Sequence, residues 1–592
     1  MVIMDPINVD FSGKGKKNSK TTVVEPKGTT AKRVIISLVV TVIVAAAAYY
    51  FMLPALNFKA IELYLYIAVV IIAFIATFGL VSKAYFRPEY MEYAKNKVKI
   101  PIALLLVLAV VVGIGYLTGA VIFRAKAYHE IIKVEDGNFA EDVAEIDFSS
   151  VPRLDKDSSN MIATRALGEL SDYVSQFIVS DYSTQINYKG TPVRVQSLAY
   201  GDIFKWLKNT KNGIPAYIII DMTTQKAEAV RLESPMKYSP AEHFNEYLIR
   251  HVRFSYPTLM LDNPSFEIDD EGNPYWVVPV LDKTIGLFGG TDVSGAVLVD
   301  AVTGDMTLIS TSLDGTTKLK TDKFVTDSEY QWLDQVYSAS ILNQQYNYYG
   351  KYMNGFINSL IGQTDVRITS DGYNYLALND DVYMYTGVTS ISSDQSIIGF
   401  VLINQRTKDA KYYQVSGALE NTARTSAQGK VQQYNYIATF PLLLNVSGEP
   451  TYFMALKDAS QLVKMYAMVN VKQSTVVGVG SSLTECMENY ASELDKNGVN
   501  VEIDVGSMGN ENNGDTENTK ETVDISGTVA EIRSVITGGE TYFYIRLDDS
   551  ASYYKVAVSQ AEKIVILNVG DTVTFTVAKD ASGDIIPVDS VK

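Results

Sequence analysis

At 592 residues the chain is long enough for several domains, and its 47% hydrophobic content is ordinary for a globular protein. A net charge of −16 argues against nucleic acid and anionic lipid surfaces as partners. The single cysteine, Cys486, excludes an intrachain disulfide, which suits a bacterial envelope protein better than a eukaryotic ectodomain.

The apolar residues are unevenly spread. Three runs in the first fifth of the chain, 34–53, 63–81 and 101–123, are nearly free of charge. Each approaches the ~20 residues that a helix needs to cross a bilayer. They predict three transmembrane helices over 34–123. Residues 1–33, polar and with seven Lys/Arg, precede the first run and no small-residue cleavage site follows it, so no removable signal is expected. The connector 82–100 is also basic, with Lys83, Arg87, Lys95, Lys97 and Lys99. Positive segments stay cytoplasmic. Residues 1–33 are therefore expected to form a cytoplasmic basic tail, and everything after Phe123 to be extracytoplasmic. That outer portion holds 38 basic and 61 acidic residues. Gly115 and Gly119 form a G-x-x-x-G in the third run, a candidate helix–helix contact and hence a candidate homodimer seam.

Two α+β regions follow, expected over 124–310 and 311–500. "DSSNMIATRALGELSDYVSQF" spaces Ala163, Leu167, Leu170, Val174 and Phe177 as a helix behind a Ser158/Ser159 cap. "SPAEHFNEYLIRHV" predicts a second helix, with Ser239 and Glu242 as a capping box and Phe244, Leu248 and Val252 as the buried stripe. A repeat emerges next. "EGNPYWVVPV…VSGAVLVDAVTGDM" (271–306) recurs as "DGYNYLALND…IIGFVLINQRTKDA" (371–410) and, degraded, as "SGEPTYFMALKD…VKMYAMVNVKQST" (447–475). "PAYIIIDMTTQKA" reads as a half copy. Asp221, Asp300, Asn404 and Asn470 are equivalent, each closing an apolar strand before a turn. Asn caps a turn as Asp does but cannot act as a general base, so Asp300 and Asp305 read as turn formers.

The other candidates for chemistry are weak. "FEIDDEGN" has the acids of a calcium loop, but Val278 stands where the closing Glu is required, leaving an Asp-rich hairpin turn. His243 and His251 lie about 80° apart around a helix, too far to share a metal. His243, Glu246 and Arg250 share a face, read as solvated. "GVGSSL" (478–483) is a strand-to-helix turn capped by Ser481 or Ser482, and Cys486 reads as a small buried hydrophobe of the following helix. No nucleophile motif stands out, and no cofactor is expected. The tyrosines are the notable surplus: "QQYNYYGKYMNGF" gathers Tyr346, Tyr348, Tyr349 and Tyr352, a candidate glycan-binding surface if exposed and core if buried.

Residues 501–523, rich in Asn, Gly and Glu, predict a disordered linker. Beyond it, five short strands with a "NVGDTVTFTV" turn make 524–592 resemble an OB-fold, a five-stranded barrel. Its ten acidic against six basic residues again disfavour nucleic acid.

At "FEIDDEGNPYWVVPV…GAVLVDAVTGDM" the chain resembles a PepSY-type unit. Through "GTPVRV", "RHVRFSYPT" and "ATFPLLLNVSGEPTYFMALKD", residues 140–490 resemble a family of uncharacterised Gram-positive bacterial membrane-anchored proteins. The resemblance implies extracytoplasmic regulation of peptidases or wall enzymes. The expectation is a plasma-membrane protein that binds an envelope protein or cell-wall glycan rather than an enzyme. The alternatives are a glycan-binding wall scaffold and a carboxylate-dependent envelope hydrolase.

Overall fold

The structure is a computed structural model. It describes residues 23–143, 151–170, 172–315, 317–378, 380–391, 396–499, 522–537, 540–558, 561–578, 583, 585–588 and 590–591. Most of the basic tail and the linker expected over 501–523 lie outside the described residues. The fold is mixed α+β. The chain forms two compact bodies, Met1–Gly509 and Asn510–Lys592.

In the first body, α1 (Thr30–Met52), α2 (Ile61–Val81) and α3 (Lys99–Thr118) are each long and apolar enough to cross a membrane. Their faces away from one another stay bare, as lipid contact requires. The third is shorter than its apolar run. Gly119 caps it and Ala120 leaves the helical region, so Val121 starts a separate helix, α4 (Val121–His129). The basic connector closes the end remote from the rest of the fold, where Arg33 donates to Tyr93 Oη at 3.2 Å.

Beyond the helices the repeat is fourfold, and each copy is a helix followed by a four-stranded antiparallel meander. Unit I has α5 (Lys156–Glu169) and β1 (Phe177–Tyr188), β2 (Thr191–Tyr200), β3 (Ile214–Asp221) and β4 (Ala227–Met236). Unit II has α6 (Leu248–Ser255) and β5 (Ser265–Ile268), β6 (Pro274–Ile285), β7 (Gly289–Asp300) and β8 (Met306–Ser310). Unit III has α7 (Ala339–Lys351) and β9 (Asn374–Leu378), β10 (Asp381–Ser390), β11 (Gly399–Asn404) and β12 (Ala410–Tyr413). Unit IV has α8 (Glu420–Lys430) and β13 (Leu442–Val446), β14 (Glu449–Lys457), β15 (Val463–Asn470) and β16 (Val477–Gly480), closed by α9 (Leu483–Lys496). In three units a short piece of the first strand, Met260–Leu261, Arg367–Thr369 or Ile437–Ala438, pairs separately with the second strand. In unit I the same place is a register shift between Val179 and Ser183.

Two repeat assignments therefore change. "PAYIIIDMTTQKA" belongs to a complete copy, not half of one. The counterpart of Pro274–Ile285 is Asp381–Ser390, whereas "DGYNYLALND" supplies β9, the strand before it. A polar turn followed by an aromatic strand occurs at more than one corner of each meander, which allows the sequence to slip by one hairpin.

The third-strand turns of units I to III are one object three times over, and that of unit IV is a residue longer with the same Asn-to-amide bond. Asp221 Oδ1 accepts from Thr223 N at 2.8 Å, and Asp300 Oδ1 from Val302 N at 2.7 Å. Asn404 Oδ1 accepts from Arg406 N at 2.8 Å, and Asn470 Oδ1 from Gln473 N at 2.9 Å. Gly304 has φ 79°, and Gln225 (62°) and Lys408 (68°) hold the same left-handed position in their turns. Lys408 accepts that backbone strain while its ammonium bonds both carboxylate oxygens of Asp292, at 2.8 and 2.9 Å.

Alternation along the strands explains the stacking. In unit II, Val278, Val280, Val297 and Val299 share a core with unit I, while Val277, Ala296 and Leu298 point the other way into a core with unit III. Unit III repeats this. Met384, Val401 and Ile403 face unit II, and Tyr385, Phe400 and Leu402 face unit IV. Sheets buried on both faces read as continuous apolar runs, hence "GAVLVD" and "GFVLIN".

Two predicted helices are shorter than their patterns. Asp155, not Ser158 or Ser159, caps α5, which ends at Glu169, and Phe177 begins β1. Residues 239–247 are not helical apart from a single turn at Phe244–Glu246. Glu242 is drawn inward, accepting from Tyr200 Oη at 2.5 Å and Trp206 Nε1 at 2.8 Å, so it does not close a capping box. Leu248 and Val252 are buried as expected, while Phe244 is exposed.

In the second body, β17 (Thr522–Thr537), β18 (Glu540–Leu547) and β19 (Tyr553–Ala557) form a meander. β20 (Thr572–Ala578) pairs with β17, β21 (Ile585–Pro587) runs parallel to β19, and β22 (Ser590–Val591) pairs with β20. The consecutive strands β21 and β22 thus lie on opposite edges, and Ile545, Leu547, Val556 and Phe575 fill the centre.

Candidate functional site

The meander corners gather function-capable side chains. Those of units I, II and III converge on an open groove of about 1040 Å³. Asn187–Gly190 comes from the β1–β2 turn, Asp269–Glu271 from β5–β6, Asp300 and Asp305 from β7–β8, and Asp380 from β9–β10. Tyr330 and Trp332 come from the segment between units II and III, and Tyr275 tilts against Trp332 at 5.0 Å.

The carboxylates divide by what holds them. Asp269 Oδ1 accepts from Glu271 N at 3.0 Å and Asn273 N at 2.8 Å, while Oδ2 accepts from Asn273 Nδ2 at 2.9 Å. That saturates it as a turn former and takes Asp269 out of the calcium-loop likeness. Asp300 is used the same way, also accepting from Thr303 N at 2.9 Å. Asp270, Glu271, Asp305 and Asp380 remain exposed, facing open solution beside the aromatic rings. The groove offers hydrogen-bond acceptors, negative charge and flat apolar faces. These suit a basic or polyhydroxylated partner.

Behind the groove lies a pair of buried carboxylates. Glu267 accepts from Asp334 N at 2.9 Å and from Gln335 N at 3.1 Å, and burial pushes its pKa up to about 7. Asp334 accepts from Asn187 N at 2.6 Å. Burial and the neighbouring Glu267 raise it well above the carboxylate range.

A cavity of about 330 Å³, open to the surface, lies where units I, III and IV meet. Its lining includes Arg153, Gln185, Arg194, Tyr375 and Phe440. Sequence reasoning missed Arg194. The signal was a charged residue between Val193 and Val195 in the middle of a strand.

The tyrosine cluster is largely packed, although Tyr348 and Tyr352 also line a shallow surface pocket of about 470 Å³. Tyr346 is fully buried, and Tyr348 stacks on Tyr352 and meets Tyr128 edge-on at 4.7 Å. Tyr349 stacks on His129 at 4.8 Å, and its carbonyl bonds His129 Nδ1 at 2.7 Å. Tyr348, Tyr349 and Tyr352, at the end of α7, thus seat unit III on α4, just beyond the three apolar helices.

Gly115 and Gly119 also have partners within the chain. A side chain at Gly115 would strike the Phe288 ring, and one at Gly119 would crowd the Ile285 carbonyl. Both belong to the tip of the β6–β7 hairpin. His243 stays exposed though it packs edge-on against Trp206, while Arg250 is buried and stacks on Tyr50 at 4.2 Å, so of the residues read as solvated Arg250 is packed. His251 Nε2 bonds the Gly304 carbonyl at 2.7 Å. Among the described residues, no group of three or more His, Cys, Asp or Glu is placed to hold a metal. Ser482 caps α9 through Glu485 N at 3.1 Å, which accounts for "GVGSSL".

Comparison with known proteins returns nothing: no family model, no curated protein and no solved structure matches the chain.

Proposed function

We propose that the chain is a membrane-anchored recognition protein of the bacterial cell envelope, acting by binding a partner rather than by catalysis. The observation that carries this reading is the groove. Corners of three repeated units bring exposed Asp270, Glu271, Asp305 and Asp380 beside Tyr275, Tyr330 and Trp332. A basic segment of an envelope protein, such as a wall-remodelling enzyme or peptidase, fits that chemistry, and regulation follows from occupancy. A cell-wall glycan stacked on the same rings is the second reading, favoured by the Tyr275–Trp332 pair.

Two supports come from elsewhere. The α1–α2 loop and the end of α3 meet unit II, whereas the basic connector closes the far end of the helices. With basic segments cytoplasmic, the four units stand outside. In the second body β21 and β22 bridge β19 and β20, the strand order of an OB barrel, which suits an adaptor module. The helix-plus-meander copies keep the PepSY likeness as part of the proposal.

A photo-crosslinking residue at Trp332 in living cells is expected to capture an envelope protein or glycan, and D270N/E271Q is expected to weaken capture. Capture at Trp332 no greater than at a remote surface position, together with peptidoglycan hydrolysis by the purified chain, would overturn the proposal. Orientation has its own check. A C-terminal epitope should be labelled on intact spheroplasts, and labelling only after permeabilisation refutes it.

A further inference from the structure

The cavity between units I, III and IV holds a buried cation with no counter-ion. Arg194 is only 5% exposed, and its two closest acceptors are neutral: Ser183 Oγ at 3.3 Å and Gln185 Oε1 at 3.4 Å. Its Nε has no hydrogen-bond partner, and no carboxylate among the described residues lies within ion-pair distance of it. Gln185, 2% exposed, leaves its Nε2 unpartnered on the same wall. The one carboxylate at the cavity, Asp155, is already paired with Lys457. Arg153 adds a second positive charge, and Phe440 and Leu442 supply apolar lining.

A buried guanidinium without a carboxylate costs several kcal/mol unless an anion supplies the missing charge. Burial already depresses the pKa of Arg194. A guanidinium offers only donors, which select an acceptor and reject a cation or an amine. Phe440 and Leu442 in the same lining would hold an apolar body. The chain is acidic overall, so a positive cavity is a local feature rather than a reflection of composition.

We propose that this cavity is a binding site for a small organic anion, its carboxylate or phosphate held by Arg194 and its apolar part against Phe440 and Leu442. The site is distinct from the groove, and neither depends on the other. Three units contribute walls, so occupancy would bias how they pack and give a route by which a small molecule tunes the whole region.

The test uses the full chain in nanodiscs, with thermal midpoints read against benzoate, hexanoate and inorganic phosphate. At least one of these anions is expected to raise the wild-type midpoint saturably. A shift with benzoate or hexanoate alone marks a carboxylate with an apolar body, and a shift with phosphate as well marks the oxyanion as sufficient. R194M is expected to abolish the shift and also to raise the midpoint of the ligand-free protein, because it removes an uncompensated buried charge while keeping the volume. R194K, retaining charge without the planar fork, should bind more weakly than wild type. No anion shifting the wild type, a shift that survives in R194M, or an R194M that is less stable than wild type without ligand would each overturn the proposal.

Discussion

The ring of Phe288, at the tip of the β6–β7 hairpin, fills the space that a side chain at Gly115 of α3 would need. Tyr64 meets the same ring edge-on at 5.5 Å and Tyr116 lies against it at 5.1 Å, so the hairpin tip is socketed between membrane helices. Lys59 and Asp282 pair at 2.7 Å beside it. The repeat region is therefore fixed to the helices by packing, not merely tethered to them.

G115L is expected to lift the tip from its socket. Overpacking of this kind costs about 1–3 kcal/mol. F288A removes the ring and costs a comparable amount, but the double variant should lose less than the sum, because the new side chain enters the vacated space. Thermal midpoints in nanodiscs measure the cycle, and protease cleavage near residue 287 reports the lifted hairpin. Strict additivity would mean that the two residues do not meet. A dimer seam at Gly115 predicts instead that G115L abolishes crosslinked dimers and leaves the hairpin protected.

Asp300 is expected to tolerate D300N. Asn404 makes the same turn in its sister copy, accepting from Arg406 N and Thr407 N, and a carbonyl oxygen accepts the Val302 and Thr303 amides as well as a carboxylate does. D300A loses both bonds and should cost about 1–2 kcal/mol. Partner capture should survive D300N. A general base at this position would lose its activity in both variants.

Such turns were readable because each depends on one residue and its next few amides. The three apolar runs were readable for the same reason, since a helix in lipid satisfies its own backbone. What failed was decided across the fold. Ser239 and Glu242 have capping-box spacing, but Glu242 finds Tyr200 and Trp206, residues some 40 positions back, and the first turns of the predicted helix are lost. Tyr348 and Tyr349 look like a sugar platform until Tyr128 and His129 occupy them. Arg194 needed three units around it before its lack of a counter-ion had meaning. The repeats were visible as pattern, yet their hairpin register required the pairing of β9 with β10.

The buried acids predict a pH dependence. In the unfolded chain Glu267 titrates near the usual 4.5, and in the folded protein near 7. The folded state holds that proton more tightly, so the associated stability is complete below about 4.5 and is lost as pH rises through about 7. For Glu267 alone this is on the order of 3 kcal/mol. Asp334, raised by the same burial and by Glu267, adds in the same direction. D334N keeps an acceptor for the Asn187 amide and removes one charge, so it should raise the midpoint at pH 8 more than at pH 5. An equal change at both values would show that the pair stays charged throughout.

Cys486 should be silent in the native protein. It is fully buried on α9 beside Met487 and Tyr490, and its Sγ donates to the Gly478 carbonyl at 3.5 Å. Gly478 and Gly480 let the helix lie directly on β16, since side chains there would strike the backbone of Tyr490 and Cys486. Burial pushes the thiol far above its ordinary pKa, which removes the thiolate that reacts. Maleimide should therefore label the native protein roughly a hundredfold or more slower than the unfolded chain, at the rate at which unit IV opens. C486A should cost about 1–2 kcal/mol through lost packing, without effect on partner capture. Prompt labelling of the folded protein would instead make this residue a redox or nucleophilic centre.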